Sequence, residues 1–175
     1  ELTKIMPSNF NQYFEPFIGG GALLLELEHK NSVISDNNHV LIGTYNDIKH
    51  NLDKLFPLLD KLQNEHNSCG DKEKAKEFYY QQRDNFNQII FDDNESLNRS
   101  ALFLYLNKAC FNGLYRVNSK GLFNVPSNQK TTINIYERDN LVQISQFLQT
   151  VDIYNQDFEE TAVKAKKGDL VFFDS

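Results

Sequence analysis

Residues 13–21, Tyr13-Phe-Glu-Pro-Phe-Ile-Gly-Gly-Gly21, are an apolar run ending in three glycines, and Ala-Leu-Leu-Leu-Glu-Leu follows at once. That order reads as a buried strand, a tight turn and a helix of strong formers. The glycines allow the backbone to approach a bound molecule closely, with the amides of the new helix facing it. A second apolar strand near the other end, Gly168-Asp-Leu-Val-Phe-Phe-Asp174-Ser175, delivers an acid at its carboxyl tip. In α/β proteins the ligand and the chemistry gather at such tips. Two of them on one chain suggest a cofactor pocket beside a reaction pocket.

Between these landmarks the pattern changes twice. Residues 12–17 and 32–35 read as strands, 20–29 and 40–49 as helices, with Asn38 as a cap for the second helix. Val40, Leu41, Tyr45 and Ile48 lie at helical spacing there. This strand–helix–strand–helix run is half of a doubly wound parallel sheet. Residues 52–63, 72–90 and 97–111 then read as three helices in succession. Successive helices do not continue a parallel sheet, so they predict an inserted helical subdomain. Residues 112–125 predict a β-hairpin, with legs at 114–117 and 122–125 and a turn in which Ser-Lys-Gly121 supplies positive φ. Helices at 136–148 and 158–166 alternate with strands at 150–154 and 169–174, and the sheet resumes. The expected fold is therefore α/β, with residues 1–50 and 136–175 forming one domain and residues 51–135 an insert.

A chain of 175 residues that is 40% hydrophobic can bury a core. No apolar run approaches the ~18 residues that would span a membrane, and the start of the chain does not read as a signal peptide. Cys69 and Cys110 fit neither a metal pattern nor a disulfide framework, so no metal is expected and a reducing cytoplasmic setting is. The net charge of −6 argues against a nucleic-acid partner. Residues 96–136 reverse that locally, with Arg99, Lys108, Arg116, Lys120 and Lys130 and no Asp or Glu. An ordinary solvated basic face would look the same.

Four places can carry chemistry. The glycine turn lacks a small third residue, Leu24 standing there, which disfavours a nicotinamide dinucleotide. Asp36, at the tip of the second strand, can accept hydrogen bonds from two ribose hydroxyls, or can merely begin a capping turn. Asp157 with the Phe158 amide can read an adenine edge, or can act as a helix N-cap. Asp174 is expected at a buried strand tip, where an ionised carboxylate is costly without a partner such as a substrate amine. Arg116 lies on a two-stranded ribbon, a shape that fits the DNA major groove, where Arg reads guanine in bidentate fashion. A Tyr-rich hairpin packing on its own helices is the plainer alternative.

In this order the pieces resemble the Dam/DpnM family of DNA adenine-N6 methyltransferases, α group. Tyr13-Phe-Glu-Pro-Phe-Ile-Gly-Gly-Gly21 is similar to its cofactor motif E-P-F-x-G-x-G, and Ser35-Asp36 to its ribose-binding acid. Tyr79-Tyr-Gln-Gln-Arg83 with Phe86-Asn87 resembles its helical subdomain. Leu104-Tyr-Leu-Asn-Lys108, Asn112-Gly-Leu-Tyr-Arg-Val-Asn118 and Gly121-Leu-Phe-Asn-Val-Pro126 resemble its DNA-reading hairpin. Gln156-Asp-Phe158 is similar to the adenine-edge site, and Asp174-Ser175 to the start of D-P-P-Y.

The resemblance implies a Rossmann-like fold, S-adenosylmethionine as cofactor, and transfer of its methyl to adenine in double-stranded DNA, in the sequence GATC. It implies cofactor binding by Glu15, Phe17, Gly19, Gly21, Asp36, Asp157, Phe158 and Asp174, and catalysis by Asp174 with Ser175. It implies DNA contacts from Phe111, Asn112, Leu114, Arg116, Lys120 and Pro126, and a cognate restriction endonuclease as a partner. Three departures bear on this. The family's N-terminal K-W-x-G-G-K segment is absent, Ser175 replaces the first Pro of D-P-P-Y, and the Pro-Tyr and later strands do not follow. The expectation is a chain truncated at both ends and not competent for catalysis alone. N4-cytosine methylation and a non-catalytic DNA-binding relative are the alternatives, and Asp174 as the opening acid favours adenine.

Overall fold

The computed structural model describes residues 6, 7 and 9–174, so the sequence-predicted Ser175 lies outside the described residues. Four strands form one parallel sheet: β1 (Tyr13–Glu15), β2 (Ser32–Asp36), β3 (Val151–Asn155) and β4 (Leu170–Val171). Their spatial order is β3-β2-β1-β4. Tyr13, Phe14 and Glu15 pair with Ser32, Val33 and Ile34 on one side, and Tyr13 and Phe14 with Leu170 and Val171 on the other. All three β1 residues are buried, as a central parallel strand requires.

Among the described residues seven α-helices accompany the sheet: α1 (Ala22–Leu27), α2 (His39–His50), α3 (Leu52–Asn67), α4 (Lys72–Ile89), α5 (Ser96–Ala109), α6 (Arg138–Leu148) and α7 (Phe158–Ala162). Their starts follow the capping residues. Asn38 accepts from the Val40 and Leu41 amides, Asp71 from Lys74, and Asp157 from Glu159. Helix α5 lies at the centre and packs against α2, α3 and α4. One apolar core runs from Tyr13 and Ile34 in the sheet through Leu55 and Leu59 to Tyr79, Tyr105 and Phe123. The carboxylate of Asp47 on α2, itself buried, accepts hydrogen bonds from Ser96 (3.1 Å) and Ser100 (2.7 Å) on α5.

The structure corrects four expectations. First, α1 is shorter than residues 20–29 because Gly21 (φ 67°) and Glu28 (φ 45°) both leave the helical region. Second, β4 covers two residues and not 169–174. The Phe172 amide bonds the Phe14 carbonyl, but the next ladder donor would be residue 16, and Pro16 has no N–H.

Third, the hairpin legs are not strands. They meet antiparallel at the isolated bridge Val117–Phe123, and a second bridge, Cys110–Ser127, joins the chain just outside them. Helix α4 takes up the free edge of the second leg: Asn87 bonds both backbone groups of Phe123, and the Tyr79 hydroxyl donates to the Val125 carbonyl. The turn itself forms as expected, with Gly121 at φ 76°. Fourth, Arg99 is no part of a basic face. It is buried, donates to the Ile90 and Asp92 carbonyls and approaches Asp93, whereas Lys108, Arg116, Lys120 and Lys130 are exposed.

Candidate functional site

The strand order reverses between β1 and β4, which makes the gap beyond their carboxyl ends the switch point where ligands bind in open α/β sheets. Glu15, Pro16 and Phe17 leave β1 there, and Phe172, Phe173 and Asp174 leave β4. Phe17 stacks on Phe158 at the start of α7, with ring centroids 5.2 Å apart. Phe173 lies 6.3 Å from Phe17 and 6.5 Å from Phe158. These three rings wall the tip of the sheet.

The buried acid at this point is Glu15, which is 4% exposed, and not Asp174, which is exposed. The expectation of a buried Asp174 is corrected accordingly: Pro16 stops the ladder before Asp174 is reached. Burial pushes the Glu15 carboxyl up to about 7. The Tyr13 hydroxyl, donating at 2.8 Å, and the Leu24 amide oppose that rise, and the nearby Asp174 charge adds to it. Tyr13 and Glu15 meet because residues two apart share one face of a strand. No ion pair reaches Glu15 among the described residues.

The glycine turn is held against the tip of β2. Asp36 accepts from the Gly19 amide at 3.3 Å and from the Asn38 amide at 2.9 Å. The Tyr45 hydroxyl of α2 donates to the Gly19 carbonyl at 3.1 Å and lies 2.5 Å from where a Cβ on Gly21 would stand. A side chain at Gly21 is therefore excluded by contact as well as by φ. Beside this turn opens a cavity of about 570 Å³, lined by Gly19, Gly20, Asp36, Asn38, Tyr45 and Tyr115 together with apolar residues of α2, α5 and α6. Phe17, Asp157, Phe158 and Asp174 do not line it. The site residues named from sequence therefore divide into two groups joined through Gly19 and Asp36: a turn opening on the cavity, and an aromatic and acidic group at the sheet tip.

Asp157 holds the capping role that competed with adenine reading: one oxygen accepts from the Glu159 amide at 3.0 Å, the other from Asn37 Nδ2 at 3.3 Å. A carboxylate has about four acceptor sites, so two contacts leave capacity for a further donor. Sequence reasoning missed Tyr13, Tyr45 and Tyr115. The i, i+2 spacing to Glu15 could have found Tyr13; Tyr45 was read only as a core position, and the contact of Tyr115 with Asn38 is non-local.

Residues 111–120 form an exposed arm. It begins with a 3₁₀ turn, Phe111–Gly113, in which Asn112 (φ 55°) and Gly113 (φ 62°) are left-handed. Phe111 is 52% exposed and Leu114 50%, two bare apolar groups close together in sequence. Asn112, Arg116, Lys120 and Pro126 are exposed beside them. All six residues expected to touch DNA are thus accessible, five on the arm and Pro126 beyond it.

A parallel sheet with a glycine turn after β1, an acid at the β2 tip and another beyond β4 fits the Rossmann-like methyltransferase fold. The chain matches the D12 class N6 adenine-specific DNA methyltransferase model over residues 1–175 and belongs to that family. It is 42% identical to the type II methyltransferase M.MjaIII of Methanocaldococcus jannaschii over 98% of its length. It is 38% identical to the type II methyltransferase M1.LlaDCHI of Lactococcus lactis over 99%, and 32% identical to the DNA adenine methylase of Haemophilus influenzae over 99%. It spans 60%, 59% and 57% of those three proteins. Among the described residues no helix is long and apolar enough to cross a membrane, and no group of three or more metal-ligating side chains occurs.

Proposed function

We propose that this chain carries the cofactor turn, the opening acid and the recognition arm of a site-specific DNA adenine-N6 methyltransferase that uses S-adenosylmethionine and acts on GATC. The observation that carries the reading is the meeting of Glu15, Phe17, Phe158 and Asp174 at the β1–β4 switch point in a member of this family.

The residues fit the cofactor. Glu15 is a buried carboxyl without a cation, and a positively charged group nearby would offset its charge. Each Asp36 oxygen already accepts one backbone amide, which orients it and leaves acceptor sites for two ribose hydroxyls. Gly19 and Gly21 keep the turn free of side chains, Phe17 flanks it, and Asp157 with the Phe158 amide would meet the adenine edge. When bound, S-adenosylmethionine supplies an electrophilic methyl on a positively charged sulfur.

The N6 lone pair of adenine is delocalised into its ring and is a poor nucleophile. The base is turned out of the duplex to reach the site. The Asp174 carboxylate and the Ser175 carbonyl accept hydrogen bonds from its amino group and draw the nitrogen toward a tetrahedral, nucleophilic shape. Positioning that nitrogen toward the cofactor site would provide most of the acceleration. Phe111 wedges into the base stack, Asn112, Leu114 and Pro126 line the groove, Arg116 reads a guanine and Lys120 meets the backbone. Residues 51–135 act as the target-recognition unit, and the setting is cytoplasmic, with a cognate restriction endonuclease as companion.

The test is transfer of labelled methyl by the full-length protein to methylation-free DNA, with identification of the modified nucleoside. N6-methyladenine is expected; N4-methylcytosine, or no transfer, would overturn the reading. Asp174→Ala should abolish transfer while cofactor still binds, and retained turnover would remove Asp174 from the mechanism.

A further inference from the structure

The Arg116 guanidinium does not hang free from the arm. Its Nε donates to Asn124 Oδ1 at 2.8 Å, and its Nη2 to the Asn124 carbonyl oxygen at 3.4 Å. The same two residues are tied through the backbone, the Asn124 amide donating to the Arg116 carbonyl at 3.1 Å. A guanidinium has two edges able to grip a pair of acceptors: the side edge of Nε and Nη2, and the end edge of Nη1 and Nη2. Asn124 occupies the side edge with two oxygens. Nη2 spends one of its two hydrogens there, and among the described residues no acceptor engages Nη1, so one hydrogen on each nitrogen of the end edge stays unused.

We infer that Asn124 is a positioning residue for base recognition, fixing Arg116 so that its end edge alone is offered to the two acceptors of a guanine, N7 and O6. This rests on the proposed role of Arg116 as the guanine reader and adds how its geometry is set. An unrestrained arginine could turn its side edge to a phosphate or swing to another base, with loss of discrimination. The clamp removes those choices before DNA arrives. It also explains why an asparagine occurs on the facing leg: the side-chain carbonyl accepts from Nε while the backbone carbonyl accepts from Nη2. The Asn124 side-chain Nδ2 takes no part in it.

The test uses the full-length protein and two duplexes, one carrying GATC and one carrying AATT at the same place, with a random duplex as control. The readout is the ratio of affinities for the first two. Arg116→Ala should lower that ratio by about tenfold to a hundredfold, the value of one bidentate guanine contact. Asn124→Ala should lower it several-fold while melting temperature and random-duplex affinity hold. Asn124→Asp keeps both acceptors and should keep the ratio, although its charge weakens all three complexes alike. An unchanged ratio in Asn124→Ala, or equal losses in the Ala and Asp variants, would overturn the inference and leave the role of Arg116 standing. A ratio that falls only along with random-duplex affinity would show collapse of the arm, and would overturn it too. An unchanged ratio in Arg116→Ala would sink the recognition reading itself, and the inference with it.

Discussion

Glu15 sits where its own charge is disfavoured, with a tyrosine hydroxyl and one backbone amide as the donors that oppose the cost. Its carboxyl is raised from 4.5 to about 7, so the folded state holds a proton that the unfolded chain releases at lower pH. Stability contributed by the protonated form is complete below about 4.5 and is lost as pH rises toward 7. The span corresponds to a loss on the order of 3 kcal/mol. Glu15→Gln keeps an acceptor for Tyr13 and carries no charge, so its melting temperature at pH 8 should exceed that of the parent, with the two converging near pH 4. Parallel melting curves across that range would remove Glu15 as the cause. The sequence pointed to Asp174 as the buried acid at a strand tip, whereas the structure buries Glu15 and leaves Asp174 exposed. That is decided by Pro16, whose missing N–H ends the ladder, and by the amide of Leu24 arriving from α1.

Among the elements, the glycine turn was the most legible, because its constraint is local. Gly21 needs φ 67°, and three glycines between a strand and a helix announce such a position. What the sequence could not show is that Tyr45, twenty-four positions on, closes over it. Gly21→Ala adds a clash to an unfavourable φ and should destabilise the protein by about 1–3 kcal/mol, read as a lower urea midpoint. A variant with the parental midpoint would mean that the turn can relax away from Tyr45. Helix α2 was legible for the same local reason, through its Asn38 cap and apolar spacing. The arm was legible as a turn with two legs but not as a bridged loop, since Asn87 and Tyr79 of α4 satisfy a backbone edge that pairing rules would assign to a strand.

Across the whole molecule, the helical region and the sheet share one core, and within the helical region buried polar groups tie helices and loops at chosen points. His66 of α3 is one such point. Its Nε2 donates to the Lys130 carbonyl at 2.9 Å, which leaves Nδ1 to accept from the Tyr105 hydroxyl of α5 at 2.9 Å, with the Phe78 ring of α4 edge-on. Burial holds the imidazole below its ordinary 6.5. Protons therefore favour the unfolded chain, and the stability due to neutral His66 is lost as pH falls below 6.5. His66 and Glu15 thus pull in opposite directions in mildly acidic solution. His66→Gln should flatten the acid limb of the stability profile and leave the alkaline limb unchanged; an unaltered acid limb would place the proton uptake elsewhere.

Taken alone, the sequence determined what depends on neighbours along the chain: the strand–glycine–helix unit, the Asn38 cap, the apolar spacing of α2 and the positive-φ turn at Gly121. These follow from backbone sterics and from hydrogen bonds spanning a few residues. The tertiary structure alone decided which charges are free. Arg99 is spent inside the fold and Arg116 is presented, Glu15 is buried and Asp174 exposed, although each pair looks alike as letters. The cost of a charge is set by the groups that surround it in space, and here those groups come from distant parts of the chain.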